Sequence, residues 1–201
     1  MTRVRKRILL TLAVCALLPV FGANAQPIES ATIEREEYAV YSATISAIYG
    51  NGGSAQFIIS NPAGSLFFSG LKEKDIPFAI PAAPRVAHET LEDFLQRNKT
   101  NRWLERRLNL RTDYVIVDHG EIKTLLHNFD VRNDWKDFNQ KYPGAGGFIS
   151  LSRVGLNSRL DEALVFASWT CGALCGKGEF VLLSRKDKVW KIANRALYIV
   201  S

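Results

Sequence analysis

The first half of the chain carries mainly helical periodicity. Over residues 32–49, apolar side chains recur at three- and four-residue steps, which predicts an amphipathic helix with Glu37 among the positions of that face. Glycines at 50, 52 and 53 end this helix. A sequence resembling a capping box begins at Thr90 and predicts the start of a second helix. Helices are predicted over 32–49, 90–98 and 135–142, a short helix or a turn over 121–127, and short strands over 55–60 and 113–118.

Sequence patterns typical of β-strands dominate the second half of the chain. β-Branched and aromatic residues are enriched over 148–154, 163–170, 177–184 and 189–200. Short connections between such segments favour antiparallel neighbours. Because helices precede strands instead of alternating with them, the order predicts the α+β class, with N-terminal helices packed on a C-terminal antiparallel meander sheet of about four to six strands.

The segment 66–85 shows neither the helical nor the strand periodicity. It is apolar, but Pro77, Pro81 and Pro84 interrupt it. We interpret it as a loop that packs its apolar side chains on the body of the protein. A long loop of this kind is sometimes functional, so a binding flap is the alternative.

The N-terminus has the order of a secretory signal peptide. Four basic residues within 2–7 precede 15 almost wholly apolar residues, 8–22, and small residues flank Asn24 at the expected cleavage site. The alternatives are a membrane anchor, for which the apolar run is too short, and a lipoprotein signal at Cys15. The sequence therefore predicts a signal peptide over 1–25 and a single globular domain over 26–201.

Removal of the signal changes the charge of the protein. The full chain has 26 basic and 20 acidic residues, and residues 1–25 hold four of the basic ones and no acidic one. The mature chain would carry 22 basic against 20 acidic side chains. This near balance gives no support to a nucleic-acid partner. No second apolar run is long enough to span a bilayer after cleavage.

Two cysteines would remain in the mature chain, Cys171 and Cys175. An even pair in an exported protein predicts a disulfide. A redox dithiol is the alternative, although such sites usually have two intervening residues and lie at a helix N-terminus. The three histidines form no metal-binding spacing, and no nucleophile elbow or phosphate-binding loop occurs. The sequence thus offers no catalytic residue, no metal site and no cofactor.

Two other features have a functional and a structural interpretation. The candidate ligand-binding residues are Arg153, Asn157 and Trp169, because Arg153 could bind a carboxylate with two hydrogen bonds. The alternative interpretation is structural: these residues form a strand edge and a turn.

A basic run could contact an anion or a membrane surface, or form the solvated face of a helix. This run comprises Arg97, Lys99, Arg102, Arg106, Arg107 and Arg111.

A resemblance covers residues 130–201. The motifs Ser152-Arg153-Val154-Gly155-x-Asn157 and Cys171-Gly172-x-x-Cys175-Gly176 carry it, with Trp135, Tyr142 and Trp190 around them. On these residues the chain resembles a group of uncharacterised exported bacterial proteins. The resemblance implies export and paired cysteines, and it implies no activity.

The leading hypothesis is an exported protein, periplasmic or secreted, that acts as a non-enzymatic binding or envelope-associated module. Its partner would be an unknown small ligand or an envelope protein, and not a nucleic acid. The alternative is a small hydrolase whose Ser, His and Asp residues are assembled by folding. Thiol chemistry at Cys171 and Cys175 is a third, weaker idea.

Overall fold

The structure is a computed structural model that describes residues 30–50, 52–64, 86–127, 135–172 and 174–200. The predicted signal peptide, 1–25, and the predicted loop, 66–85, lie outside the described residues. Export and the domain limits therefore stay predictions. Within the described ranges, no helix is both long and apolar enough to cross a membrane.

Four helices occur in the described part of the chain, and each lies close to a predicted one. The short third helix begins earlier than predicted because the carboxylate of Asp118 caps it, accepting hydrogen bonds from the backbone N–H groups of Gly120 and Glu121. The helices are α1 (Ser30–Tyr49), α2 (His88–Arg97), α3 (His119–Leu125) and α4 (Trp135–Lys141).

Seven strands form one mixed sheet with the order β2-β1-β3-β5-β6-β7, and β4 pairs with β5 beside β3. β1 is parallel to β2 and to β3, and the remaining pairs are antiparallel. The strands are β1 (Gln56–Asn61), β2 (Asp113–Asp118), β3 (Phe148–Leu151), β4 (Gly155–Leu156), β5 (Glu162–Gly172), β6 (Cys175–Lys186) and β7 (Val189–Val200).

The α+β class is confirmed, but the prediction of a purely antiparallel meander is wrong. The long strands β5, β6 and β7 form a meander, which the two-residue β4 joins at its start by pairing with β5. The long connection between β1 and β2 allows them to pair in parallel, which short hairpin loops cannot do. The prediction that the helices are N-terminal is also wrong, because α3 and α4 lie between β2 and β3.

The sheet is covered on both faces. Side chains alternate between the faces, so Phe57 and Ile59 join the core beneath α1, whereas Ile58 joins the cluster with α3 and α4. Phe166 packs with Phe94 of α2 on the face that α1 does not cover. This double burial explains the nearly continuous apolar character of β1 and β5.

The predicted capping box at Thr90 is wrong. Thr90 is buried within the first turn of α2, and its hydroxyl donates to Glu162 Oε1 at 2.7 Å. The same carboxylate oxygen accepts the backbone N–H of Ala87 at 2.8 Å. A side chain on β5 therefore binds the start of α2, a contact that no local sequence pattern could reveal.

The predicted disulfide between Cys171 and Cys175 is confirmed. The two cysteines lie at the end of the β5–β6 hairpin, with their Cα atoms 5.1 Å apart. Gly172 pairs with Cys175 across the hairpin. The bridge therefore closes one end of the antiparallel part of the sheet.

The basic run does not form a solvated helix face, so that interpretation is wrong. α2 ends at Arg97, and residues 99–112 contain no helix. Asn61 fixes this segment on the sheet: its side chain accepts the N–H of Leu104 at 2.8 Å and donates to the Leu104 carbonyl at 3.3 Å. Ala63 and Arg102 exchange two backbone hydrogen bonds nearby. These contacts direct part of the basic run toward the protein interior.

Candidate functional site

A buried carboxylate lies at the centre of the candidate site. Glu37 of α1 is 0% exposed, and its Oε1 accepts the backbone N–H of Val154 at 3.3 Å. The Tyr41 hydroxyl, one helical turn later, lies 3.0 Å from the same oxygen and 2.9 Å from the carbonyl oxygen of Ser152. Burial and the charge of Glu37 raise the pKa of Tyr41, so its hydroxyl stays protonated and donates.

Three guanidinium groups surround the Glu37 carboxylate. Arg153 donates from Nε to Oε1 at 3.2 Å and from Nη2 to Oε2 at 3.4 Å. Arg97 Nη1 lies 3.7 Å from Oε2, and Arg102 Nε lies 3.8 Å from it. The three arginines come from α2, from the segment after it and from the turn between β3 and β4. Folding therefore assembles this cluster from sequence positions far apart.

Neighbouring side chains hold the arginines in place. Asp93 accepts from Arg97 Nε at 2.7 Å and from the backbone N–H of Leu156 at 2.8 Å. The Asn98 side chain accepts the backbone N–H of Arg153 at 2.8 Å and donates to the Arg153 carbonyl oxygen at 3.0 Å. Hydrogen bonds therefore hold the cluster both at a side chain, Arg97, and at the main chain of Arg153.

Arg102 is held by a second carboxylate. Its Nη2 lies 2.6 Å from Glu34 Oε1, and Arg107 Nη1 lies 2.5 Å from the same oxygen. Burial lowers the pKa of Arg102, but the negative charges of Glu37 and Glu34 outweigh burial and raise it overall. The buried Nε of Arg102 has no hydrogen-bond partner among the described residues.

These groups line an open cavity of about 380 Å³, which we call the arginine pocket. The first turn of α1 contributes to its wall. The lining carboxylates balance the lining guanidinium groups in charge. The lining residues are Ser30, Ile33, Glu34, Glu37, Asp93, Arg97, Arg102 and Arg153.

Many N–H donors of the arginine pocket make no hydrogen bond to a described residue. A guanidinium carries five N–H bonds. Arg153 uses two of them in side-chain hydrogen bonds with described residues, Arg97 uses one, and Arg102 uses one. The arrangement therefore suits a ligand with several acceptor oxygens, such as a carboxylate or a phosphate.

The structure does not bring the three predicted ligand residues to one cavity. Arg153 lines the arginine pocket, whereas Trp169 lines a different cavity beside Tyr49. Asn157 closes a turn, with its Oδ1 accepting the backbone N–H groups of Asp161 and Glu162 at 3.0 and 3.1 Å. The turn interpretation of Asn157 thus accounts for its side chain, and a ligand role for the three stays a prediction.

Sequence reasoning missed Glu37 as a member of a site, and it named Arg97 and Arg102 only within a basic run that could contact an anion. One signal was present: Glu37 occupies a position on the apolar face of its helix, where a charge is costly unless it is paired. Nothing local to Arg97 or Arg102 identified them as its partners. Their pairing depends on the path of the chain after α2.

A second polar pair lies at the carboxyl end of the parallel strands. Ser60 Oγ and His119 Nδ1 are 3.1 Å apart, and Ser60 is buried. Burial lowers the pKa of His119, and the nearby negative charge of Asp118 only partly opposes this shift. The carboxylate of Asp118 is occupied by the start of α3, so it does not complete a triad of the usual geometry.

No group of three or more metal-ligating side chains occurs in the described ranges. Comparisons of the chain with protein-family models, with curated proteins and with solved structures find no significant match.

Proposed function

We propose that the chain is an exported, non-enzymatic binding module whose arginine pocket binds a small ligand through a carboxylate or phosphate group. The observation that carries this proposal is the convergence of three guanidinium groups on one buried carboxylate, beside an open cavity. Guanidinium groups bind planar carboxylates and phosphates with paired hydrogen bonds.

Glu37 has a defined role in this proposal. Its carboxylate holds Arg97, Arg102 and Arg153 close together, although their like charges repel. Holding them in place before the ligand arrives reduces the entropy lost on binding. Glu37 therefore acts as an internal anion that prepares the donors, and the ligand uses the N–H bonds that Glu37 leaves open.

The experiment is calorimetric titration of purified residues 26–201 with inorganic phosphate and with citrate. We expect binding that weakens as salt concentration rises. Arg102→Ala should reduce the affinity at least about tenfold, since a hydrogen bond to a charged group is lost. Arg111→Ala is the matched control, because Arg111 is an exposed residue of the same basic run.

Two results would oppose the proposal. Absence of binding for both probes would reduce the arginine cluster to a structural ion-pair network. Equal loss of affinity in Arg102→Ala and Arg111→Ala would mean that only general surface charge attracts the anion. Circular dichroism of each variant separates loss of binding from loss of folding.

A hydrolase is the second candidate function, and the Ser60–His119 pair favours it. A serine hydroxyl beside an imidazole with a lowered pKa is the beginning of a nucleophile and base arrangement. Turnover of p-nitrophenyl acetate that disappears in both Ser60→Ala and His119→Gln would support this candidate. Turnover unchanged by Ser60→Ala would remove it.

A further inference from the structure

A second cavity lies at the other end of α1. It has a volume of about 230 Å³, and we call it the aromatic pocket. It shares no lining residue with the arginine pocket. Glu34 of α1 lines the arginine pocket and Ile48 of the same helix lines the aromatic pocket. The helical rise places these two residues about 21 Å apart. The aromatic pocket is lined by Ile48, Tyr49, Gly52, Ser54, Phe57, Trp169 and Lys177.

The wall of the aromatic pocket is a pair of stacked rings. The centroids of Tyr49 and Trp169 are 5.6 Å apart, with an angle of 29° between the ring planes. Gly147 lies against the indole: a Cβ there would be 3.0 Å from Trp169 Cε2 and 2.3 Å from the carbonyl oxygen of Thr170. A glycine is therefore needed at this position, where the backbone approaches the indole closely.

Lys177 places a positive charge beside these rings. It is paired with Trp169 across the β5–β6 ladder, and its Nζ lies 5.7 Å from the Tyr49 ring centroid. Lys177 is half-buried and has no ion-pair partner among the described residues. Glu179, two residues away on β6, is occupied by Arg195 through bonds of 2.6 and 2.8 Å.

Tyr49 adds a buried hydroxyl to the same group. Its side chain is buried, and its hydroxyl has no hydrogen-bond partner in the part of the chain that the structure describes. Burial and the charge of Glu179 raise the pKa of Tyr49, so the hydroxyl remains a donor at neutral pH. A buried donor without a partner is costly in a folded protein.

We infer that the aromatic pocket binds a small aromatic carboxylate, with its ring against Trp169 and Phe57 and its carboxylate on Lys177. The cavity is smaller than the usual ligand pocket, which suits a single ring with a short acidic side chain. A sugar fits less well, because Ser54 is the only lining hydroxyl beside Tyr49 and the other walls are mainly apolar. An amine of the same shape would be repelled by Lys177.

The test compares phenylacetate with phenethylamine, which carries the opposite charge on a similar ring, by calorimetry on residues 26–201. We expect binding of phenylacetate and none of phenethylamine at the same concentration. Lys177→Gln should weaken phenylacetate about fivefold, as expected for one partly exposed ion pair. Lys191→Gln, an exposed lysine on β7, should leave it unchanged. Trp169→Phe keeps a ring in place and should weaken binding less than Trp169→Leu.

Arg102→Ala separates this inference from the proposed function, because phenylacetate also carries a carboxylate. Any phenylacetate bound in the arginine pocket is lost in Arg102→Ala, so the inference predicts that phenylacetate still binds to Arg102→Ala and that adding Lys177→Gln weakens this remaining binding. Loss of all phenylacetate binding in Arg102→Ala would overturn the inference and support the arginine pocket. Equal affinity for phenethylamine, or no binding of phenylacetate, would overturn the inference without affecting the titrations with phosphate.

Discussion

Trp190 donates its indole N–H to the buried carboxylate of Glu36 at 2.9 Å, which joins the last strand of the sheet to the first helix of the described chain. Arg185 Nη2 lies 3.2 Å from the other oxygen of that carboxylate. Glu36 and Glu37 are thus adjacent buried acids with separate sets of partners. Glu36 binds the β6–β7 hairpin, and Glu37 binds the arginine pocket.

The first prediction concerns Glu36. Glu36→Ala should lower the free energy of unfolding by about 3 kcal/mol, because it leaves the Trp190 N–H and a partly buried Arg185 without their partner. Urea denaturation of residues 26–201 measures this change. Glu105→Ala is the control, since that carboxylate is exposed and its removal should have almost no effect. A loss as small as that of the control would show that the buried contacts contribute little.

The second prediction concerns Glu37 and its three arginines. Glu37→Gln keeps the shape of the side chain but removes the internal anion, so the guanidinium groups repel one another and the melting temperature should fall. Phosphate should restore part of the loss by binding among them, compared with chloride at equal ionic strength. Differential scanning calorimetry measures both effects.

Glu36→Gln provides the control for this rescue. This substitution also removes a buried charge from α1. The partners of the Glu36 carboxylate, Trp190 and Arg185, lie outside the arginine pocket. Phosphate should therefore stabilise Glu37→Gln more than Glu36→Gln. Equal stabilisation of the two variants would contradict a specific anion site.

Much of the fold could be predicted from periodicity, and the failures have physical causes. The helix of 32–49, the strand Asp113–Asp118 and the β5–β6–β7 meander follow patterns that a few neighbouring residues establish. Parallel pairing of β1 with β2 and β3 depends on contacts between distant residues, which local patterns do not encode. The mixed sheet could not be read from the sequence for this reason.

The candidate site was less predictable than the fold. Arg153 was identified from its own motif, but its partner Glu37 lies 116 residues earlier in the chain. The sequence places Arg97 and Arg102 only within a basic run, which predicts either an anion or membrane contact or a solvated helix face. Only the path of residues 99–112 beside Asn61 and Ala63 brings them to Glu37.

The third prediction concerns the disulfide. Replacing Cys171 and Cys175 together by serine should leave the protein folded and lower its free energy of unfolding by about 2 kcal/mol, because the closed loop is short. Chemical denaturation under oxidising conditions measures this. The wild-type protein treated with a reductant should match the double variant. Complete unfolding of the variant would mean that the bridge is essential to the hairpin.

The fourth prediction is a pH dependence that arises from His119. Burial lowers the pKa of His119 in the folded protein, so between that pKa and the ordinary histidine value of about 6.5 the unfolded chain binds more protons. The contribution of neutral His119 to the free energy of unfolding is fully present above about pH 6.5 and is lost as the pH falls toward the pKa of His119 in the folded protein. Urea denaturation from pH 7.5 to 5 should show this fall in the wild type and a weaker one in His119→Gln. His88→Gln is the control, because His88 is exposed beside Glu92. An identical slope in the wild type and His119→Gln would exclude His119 as the source.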